Sequence, residues 1–215
     1  MHTKRQTIKK FWPIPRKGTK YIATPSHEKA SAIPLVVVFR DILKLVEKRK
    51  ELKTLINDKD ILVNNKIVRE LNFPILLFDT ISIPRIKKYY KAVYSKFKKI
   101  SFVEINENES FFKIYKVIDK RILPKRKVQI NLVNGENLFY DKPVDPGASI
   151  ILNTKERKVS KVLKLSKGAK MMVIRGKYLG LVGQFINNPE GKRFIEIKLE
   201  DKIVNLRPRD VMVVE

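Results

Sequence analysis

Three glycines and a lysine in the segment VIRGKYLGLVGQF, residues 173–185, are of the types that bind phosphate groups. A nucleotide-binding P-loop reads G-x-x-x-x-G-K-[ST], and its hydroxyl residue binds Mg²⁺. Here methionine replaces the first glycine and tyrosine replaces the hydroxyl residue. A dinucleotide-binding loop reads G-x-G-x-x-G, whereas Gly176, Gly180 and Gly183 are four and three residues apart. Neither enzyme motif fits, so the glycines are predicted to shape a tight turn between two strands.

Residues that support catalysis or metal binding are scarce. The chain has no cysteine and two histidines, His2 and His27. It therefore contains no H-E-x-x-H motif, no histidine pair at metal-ligand spacing and no evident Ser-His-Asp set. Its carboxylates occur in no distinctive local motif. The sequence predicts no catalytic residue, metal, cofactor or small-molecule substrate, and the lack of cysteine fits a cytosolic protein.

The charge balance indicates what the protein binds. The 215 residues include 47 Lys and Arg against 22 Asp and Glu, a formal net charge of +25. So large an excess repels itself in a compact chain unless an anionic partner screens it, which leaves nucleic acid or an anionic membrane surface. The longest apolar run, IPLVVVF at 33–39, is far shorter than a membrane span. Nucleic acid is the predicted partner, and no membrane association is expected.

The first 20 residues hold seven Lys or Arg and no acidic residue. One interpretation is a disordered basic tail. The other is an extended arm in which Phe11 and Trp12 stack on splayed bases while lysines meet phosphates. On this second interpretation the RNA-binding candidates are Lys4, Arg5, Lys9, Lys10, Trp12, Arg16, Lys17 and Lys20.

The next segment alternates helical and strand-like patterns. A helix is predicted from Pro34, because apolar residues recur at helical spacing at Leu35, Phe39, Ile42, Leu43 and Val46. A second helix is predicted over 50–57, and Asn64-Asn65 marks a tight hairpin turn. These elements and the β-rich stretch that ends at Pro84 make an α+β module. Its candidate cations are Arg40, Lys44, Lys48, Arg49, Lys50, Lys53, Lys66 and Arg69.

Beyond Pro84 the chain reads as β-structure. Residues 85–99 interleave four aromatic rings with seven cations, which suits either RNA stacking or the core side of a strand. Asn134-Gly135 predicts a hairpin, and short strands with turns at 180–183 and 188–191 predict a small barrel. Five lysines recur at every third position from Lys158 to Lys170, a period that no regular strand places on one face. The candidate cations here are Arg85, Lys87, Lys88, Lys167, Lys170, Arg175 and Lys177.

Six segments resemble, in family order, the small-subunit ribosomal protein "S four e" family of archaea and eukaryotes. FWPIPRKGTKY is similar to that family's W-P-I-x-R-K opening, and His27 after Pro25 resembles its P-x-x-H segment. IPLVVVFRDILK and FDTISIP resemble its I-P-L-x-x-x-x-R-D-x-L helix and its M-D-V-I-S-I-P segment. ELKTLINDKDILVNNKIVRE looks like the alpha-L RNA-binding module shared with bacterial "S four". GAKMMVIRGKYLGLVGQF looks like its KOW motif, with departures that include Arg175 at a position often occupied by glycine.

The resemblance implies a multi-domain α+β protein of the small ribosomal subunit, cytoplasmic and located in the ribosome. It implies binding to small-subunit rRNA, with His27 among the contacts, and contact with neighbouring small-subunit proteins. The expected divisions are a basic extension at 1–33, the alpha-L module at 34–84, a β-rich central domain at 85–165 and a KOW SH3-like barrel at 166–215. The end at Glu215, without a further basic tail, favours an archaeal source.

Two other functions remain possible from the residues. An RNA-modifying enzyme could carry the alpha-L module as an accessory, although no stretch is left for a separate catalytic domain. A transcription elongation factor could carry the KOW motif, although it should lack the W-P-I-P-R-K arm.

Overall fold

The structure is a computed structural model that describes residues 2–124, 128–140, 142–187, 194–199 and 202–214. It is mostly β-structure with a few short helices. The chain divides into two compact units, Met1–Lys113 and Ile114–Glu215. The predicted turn at 188–191 lies outside the described residues.

The first unit holds nine strands and three α-helices within its described part, and strand β10 contains the boundary to the second unit. The strands are β1 (His2–Lys4), β2 (Tyr21–Ala23), β3 (Ile33–Pro34), β4 (Leu62–Val63), β5 (Lys66–Ile67), β6 (Pro74–Ile75), β7 (Thr80–Ile83), β8 (Lys88–Tyr94), β9 (Ile100–Glu104) and β10 (Phe112–Ile122). The helices are α1 (Leu35–Val37), α2 (Arg49–Asn57) and α3 (Glu107–Ser110). An antiparallel sheet of order β5-β4-β7-β8-β9 is the largest layer.

The amino-terminal segment is folded onto this unit. β1 pairs antiparallel with β2, and the backbone N–H of Ile100 donates to the carbonyl of Phe11 at 2.9 Å. Ile8, Trp12 and Ile22 belong to the same core cluster as the first helix. The interpretation of the first 20 residues as a disordered tail therefore does not fit the structure, because burying the apolar residues between the lysines ties the segment down.

The first predicted helix is shorter than its apolar pattern suggested. α1 continues as a π-helix over Val38–Ile42, and the N–H of Leu43 donates to the carbonyl of Val38 at 2.8 Å. Lys44 then takes a left-handed conformation with φ of 53°, which ends the helix. Every side chain from 35 to 39 is buried, so this is a core helix without an outer face there.

The second predicted helix is confirmed as α2. Leu52 and Ile56 point into the core, while Lys50 and Lys53 are exposed. The Glu51 carboxylate accepts hydrogen bonds from the backbone N–H groups of Glu47 at 2.9 Å and Lys48 at 3.3 Å. These bonds satisfy donors at the start of the helix that have no partner within it.

The predicted Asn-Asn hairpin is also confirmed. β4 and β5 pair antiparallel, and the turn residues Asn64 and Asn65 have φ angles of 50° and 61°. Positive φ at both central residues is the geometry of a type I′ turn, which matches the twist of the strands.

A buried polar cluster connects this hairpin to the rest of the first unit. Asp79 is 2% exposed, and its carboxylate accepts hydrogen bonds from the Asn64 amide at 2.8 Å and the backbone N–H of Leu76 at 2.7 Å. It also pairs with Lys113, which is 3% exposed. The Asn64 carbonyl in turn accepts from the backbone N–H of Thr80 at 3.0 Å. One carboxylate thus joins the hairpin turn, the start of β7 and the start of β10.

Together with β10, the described strands that follow it form two sheets, of order β12-β11-β10-β13-β14 and β18-β17-β16-β15-β19. The strands are β11 (Val128–Leu132), β12 (Asn137–Phe139), β13 (Ser149–Asn153), β14 (Lys158–Leu163), β15 (Lys170–Val173), β16 (Val182–Asn187), β17 (Ile195–Leu199), β18 (Lys202–Leu206) and β19 (Val211–Val213). The hairpin predicted at Asn134-Gly135 joins β11 to β12, and Gly135 has a φ of 82°.

A β-bulge in β14 resolves the three-residue lysine period. Ile151 lies opposite Lys161, whereas Leu152 lies opposite Val159, so Ser160 is an extra residue in the ladder. The extra residue shifts the alternation by one position, and Lys158 and Lys161 consequently share the exposed face. The bulge thus places on one face two lysines that a regular strand would place on opposite faces.

The glycine-rich segment forms the connection from β15 to β16, as expected. Gly176 and Gly180 have φ angles of 94° and 82°, and the N–H of Gly180 donates to the carbonyl of Val173 at 2.8 Å. Gly183 lies within β16, where a Cβ would approach Leu199 to 2.7 Å and Ile197 to 2.8 Å. The first two glycines therefore allow the turn, and the third allows β17 to approach closely.

Replacing Asp79 with Ala should lower the free energy of unfolding by about 3–5 kcal/mol, because it removes the carboxylate that compensates the buried charge of Lys113. Urea unfolding of the variant measures this loss. Asp145→Ala is the matched control, since it breaks an exposed pair with Lys120 at 3.0 Å and should cost about 0–1 kcal/mol. Equal losses in the two variants would contradict the role given to the buried carboxylate.

Gly183→Ala should destabilise the second unit by about 1–3 kcal/mol, because its methyl group has no room beside β17. Thermal and urea unfolding would show the effect. Gln184→Ala, at the exposed next position of the same strand, should change stability by no more than about 0.5 kcal/mol. An unchanged stability for Gly183→Ala would rule out the close approach.

Candidate nucleic-acid interface

A cationic cavity is lined by residues at the end of β1 and by residues just before β2. Its volume is about 640 Å³, and no acidic residue lines it. Besides Arg5, the cationic side chains in its lining are those of Lys4, Arg16, Lys17 and Lys20. Such a concentration of positive charge favours phosphate oxygens.

Arg5 organises this cavity from within. Its Nη1 donates hydrogen bonds to the carbonyls of Pro15 at 3.0 Å and Lys17 at 3.2 Å, and its backbone N–H donates to Lys20 at 3.0 Å. Gly18 has a φ of 127°, and a Cβ there would lie 3.1 Å from Arg5 Nη1. The guanidinium therefore holds the loop at 15–18 in place, while the cations of its neighbours stay exposed.

A second hollow of about 420 Å³ brings Lys9, Lys10 and Arg16 together with Lys99. Arg16 Nη2 donates to the carbonyl of Ile8 at 3.4 Å. Trp12 also lines this hollow, yet it is only 5% exposed and packs in the core. Stacking of its ring on a splayed base, as the sequence suggested, does not fit this burial, and Trp12 instead anchors the segment that carries the cations.

A third hollow, of about 590 Å³, joins the amino-terminal segment to the end of the first helix. Arg5, Arg40 and Lys44 line it together with two carboxylates, those of Asp41 and Glu47. Arg40 forms a two-bond ion pair with Asp41, at 3.0 and 2.8 Å. This pair raises the pKa of Arg40 and reduces the positive charge that the hollow offers to a phosphate.

The cations of α2 and the hairpin project outward. Lys48, Arg49, Lys50, Lys53, Lys66 and Arg69 are all exposed. Arg85 is exposed as well, but its Nη1 lies 3.2 Å from a carboxylate oxygen of Asp60. Lys87 and Lys88 follow it, and Lys87 has a φ of 52° at the turn into β8.

The rings of residues 85–99 divide between core and surface. Tyr90 is 8% exposed and belongs to the core, whereas Phe97 is 84% exposed. His27 is exposed, its Nδ1 lies 3.1 Å from the Ser26 hydroxyl, and its ring meets that of Phe73 edge-on at 6.0 Å.

In the second unit the predicted cations Lys167, Lys170, Arg175 and Lys177 are exposed. Arg175 and Lys177 flank Gly176 in the turn between β15 and β16. The Lys177 ammonium lies 5.8 Å from the centroid of the Tyr178 ring, a cation–π distance.

Sequence reasoning missed Lys116. Its side chain is 6% exposed and donates hydrogen bonds to the backbone carbonyls of Pro208 and, at 2.6 Å, Val211. Burial lowers the pKa of Lys116 to about 8, with Asp210 raising it and Arg175 lowering it further. In a chain with 47 Lys and Arg, no pattern marks one lysine as buried.

Among the described residues, no group of three His, Asp or Glu side chains is arranged to hold a metal ion. Within the same ranges, the structure contains no helix of the length and apolarity that a membrane crossing requires.

The sheet order, the core and the cationic hollows can be compared with known proteins. The solved 30S ribosomal protein S4e from Thermoplasma acidophilum aligns with a TM-score of 0.71 at 23% identity, covering 86% of this chain and 96% of that one. The two chains therefore share a fold.

The sequence comparisons are more specific. The model of the family described as Ribosomal family S4e matches residues 86–159. Small ribosomal subunit protein eS4 of Methanosphaera stadtmanae is 35% identical over 187 residues, which cover 85% of this chain and 77% of that protein. The protein of the same name from Methanocella arvoryzae is 33% identical over 186 residues, or 85% and 79% of the two chains. This chain belongs to the small ribosomal subunit protein eS4 family, a family of structural ribosomal proteins rather than enzymes.

The lowered pKa of Lys116 predicts a dependence of stability on pH. Below about pH 8 the ammonium is charged in both the folded and the unfolded chain, and the full cost of burying the charge is present. Between about 8 and the ordinary value of 10.5 the unfolded chain binds more protons at this residue. The free energy of unfolding should therefore rise with pH in this window, by at most about 1.4 kcal/mol per pH unit.

Lys116→Met isolates this effect. Urea titrations at pH 7 to 10 measure the free energy of unfolding of both proteins. As pH rises, the natural chain should gain stability relative to the variant. Lys120→Met, whose side chain is exposed, should give a difference without that slope. A flat or falling difference for Lys116→Met would contradict the lowered pKa.

Proposed function

We propose that this protein binds small-subunit rRNA and holds its folded helices together within the small ribosomal subunit in the cytoplasm, beside neighbouring ribosomal proteins. The observation that carries the proposal is the amino-terminal cavity, where Lys4, Arg16, Lys17 and Lys20 line one volume and no acidic residue does. Membership of the eS4 family supports RNA as the anion, because rRNA is the abundant polyanion of a ribosome.

The proposal assigns the RNA-binding modules by segment. Residues 1–33 form the basic arm, 34–84 the alpha-L module, 85–165 the β-rich central part and 166–215 the KOW SH3-like barrel. Helix α2 with the Asn64-Asn65 hairpin supports the second assignment, and the five-stranded sheet with its glycine-rich turn supports the last. These segments need not be separate folding units, since β7 of the second segment pairs with β8 of the third.

The interaction rests mainly on phosphates. Exposed cations replace the counterions condensed on RNA, so affinity falls as salt rises. If about 6 to 10 phosphates are contacted, affinity should fall by about 10³ to 10⁵ between 50 and 200 mM salt. Exposed cations without a carboxylate partner contribute most on this account, whereas Arg40 and Arg85 first have to exchange Asp41 and Asp60 for phosphate.

Sedimentation tests the proposed role. The native protein should cofractionate with small ribosomal subunits through a high-salt wash. A freely soluble pool at low salt would instead favour an RNA-modifying or transcriptional role.

The triple variant Lys4→Gln, Lys17→Gln, Lys20→Gln should bind a small-subunit rRNA fragment more weakly and with a shallower salt dependence. Each lost phosphate contact should reduce the slope of log affinity against log salt by about 0.7 to 0.9. Fluorescence anisotropy between 50 and 200 mM salt measures the slope, and thermal unfolding checks that the exposed changes leave the fold intact.

The control for charge alone is Lys202→Gln, an exposed lysine on β18 that is not among the candidate RNA-binding residues. It should leave the slope nearly unchanged. A salt-independent affinity of the natural chain, or an equal loss per charge in the control, would refute the assignment.

A further inference from the structure

A pocket in the second unit is not accounted for by the cationic surfaces described above. It has a volume of about 510 Å³, within the range of about 300–1,000 Å³ typical of small-ligand sites. Its walls are apolar, with contributions from Ile118, Val133, Pro146 and Ile174. No acidic residue lines it.

Three cationic side chains line this pocket, one of them buried and two exposed. Lys116, almost fully buried, lines it and uses two of its three ammonium protons on the carbonyls of Pro208 and Val211. Its third N–H has no acceptor among the described residues. Arg175 and Arg209 also line the pocket but are exposed, and neither forms an ion pair within the described part of the chain.

This arrangement matches the parts of one nucleotide. An unstacked base offers two flat apolar faces and ring acceptors at its edge, and its phosphate is attached on the solvent side. Pockets for extruded bases combine apolar walls with hydrogen bonds to the base edge. The lining combines the same three kinds of group: aliphatic side chains, the buried Lys116 and the exposed Arg175 and Arg209.

We propose that this pocket binds a single unstacked RNA nucleotide, with a base acceptor hydrogen-bonded to Lys116 and the adjoining phosphates paired with Arg175 and Arg209. The proposal rests on the proposed rRNA-binding function for the source of the nucleotide. This pocket would bind a base, whereas the other proposed surfaces would bind phosphates only.

The bulge in β10 helps to form the pocket. Val117 lies opposite Leu132 and Asp119 lies opposite Asn131, so Ile118 is an extra residue in the ladder. A bulge redirects the side chain it carries. Ile118 is 56% exposed, and it lines the pocket together with Val133. Exposed aliphatic side chains beside three cations are consistent with a surface that is covered by a partially apolar, anionic ligand.

The test uses the full chain labelled with ¹⁵N and titrated with uridine 5′-monophosphate, with inorganic phosphate as the comparison probe. Nuclear magnetic resonance shifts should concentrate at the backbone amides of Val133, Gly147 and Ile174. The nucleotide should bind at least about fivefold more tightly than phosphate, since its base adds apolar surface buried against the aliphatic walls and a hydrogen bond that phosphate lacks. Equal affinities would overturn the base-binding part and leave an anion site only.

Two variants test the pocket itself. Lys116→Met removes the buried donor, but it leaves two carbonyls without a partner and could disturb folding. Ile118→Glu places a carboxylate at an exposed position of the pocket, should not affect the core, and should weaken nucleotide binding at least fivefold. Ile122→Glu is the matched control on the same strand, 74% exposed and outside the pocket, and should not change the affinity.

The outcome separates this inference from the proposed function. An unchanged nucleotide affinity in Ile118→Glu, or binding of a peptide with adjacent carboxylate and apolar side chains in place of the nucleotide, overturns the pocket assignment. The salt-dependent binding of the rRNA fragment would then still stand. Loss of all rRNA binding by the natural chain would overturn the proposed function instead, whatever the mononucleotide does.

Discussion

The first unit depends on a single buried carboxylate. Asp79 receives hydrogen bonds from a hairpin turn and a loop and forms an ion pair with Lys113 from a later strand. Removing a carboxylate from water is costly, and the cost is offset only when all its oxygens have donors. Because those donors come from distant parts of the sequence, the network favours only the fold in which they meet. The hairpin turn that precedes the exposed Lys66 and Arg69 is therefore held in a defined position.

Local rules predicted the elements that are governed locally. The period of Leu52 and Ile56 predicted α2, and the tolerance of asparagine for positive φ predicted the turn at Asn64 and Asn65. The spacing of three glycines predicted a turn rather than a nucleotide loop. In each case the physical cause acts within about ten residues, so one sequence is sufficient to detect it.

Features set by tertiary packing could not be predicted in the same way. Trp12 lies in a basic run, and it is buried in a core cluster to which residues much later in the chain, such as Val46 and Ile100, also belong. The first helix stops at Lys44 although its apolar pattern continues. The candidate cations could be proposed as a set from charge and family resemblance, but the structural surroundings of each could not be predicted. Arg5 holds a loop, whereas Lys17 lines the cavity with its side chain exposed, and both are simply cations in the sequence.

Two buried lysines show how the chain handles its charge. Lys113 is compensated by a carboxylate, so the pair contributes to the fold without requiring another molecule. Lys116 is held by two backbone carbonyls, and its lowered pKa shows that these dipoles do not fully replace the water it lost. A leucine or methionine would avoid the cost of burying a charge, but it would leave the carbonyls of Pro208 and Val211 without this donor. In a chain that already has a net charge of +25, Lys116 therefore fixes the backbone at 208 and 211 by hydrogen bonds that no apolar side chain could make.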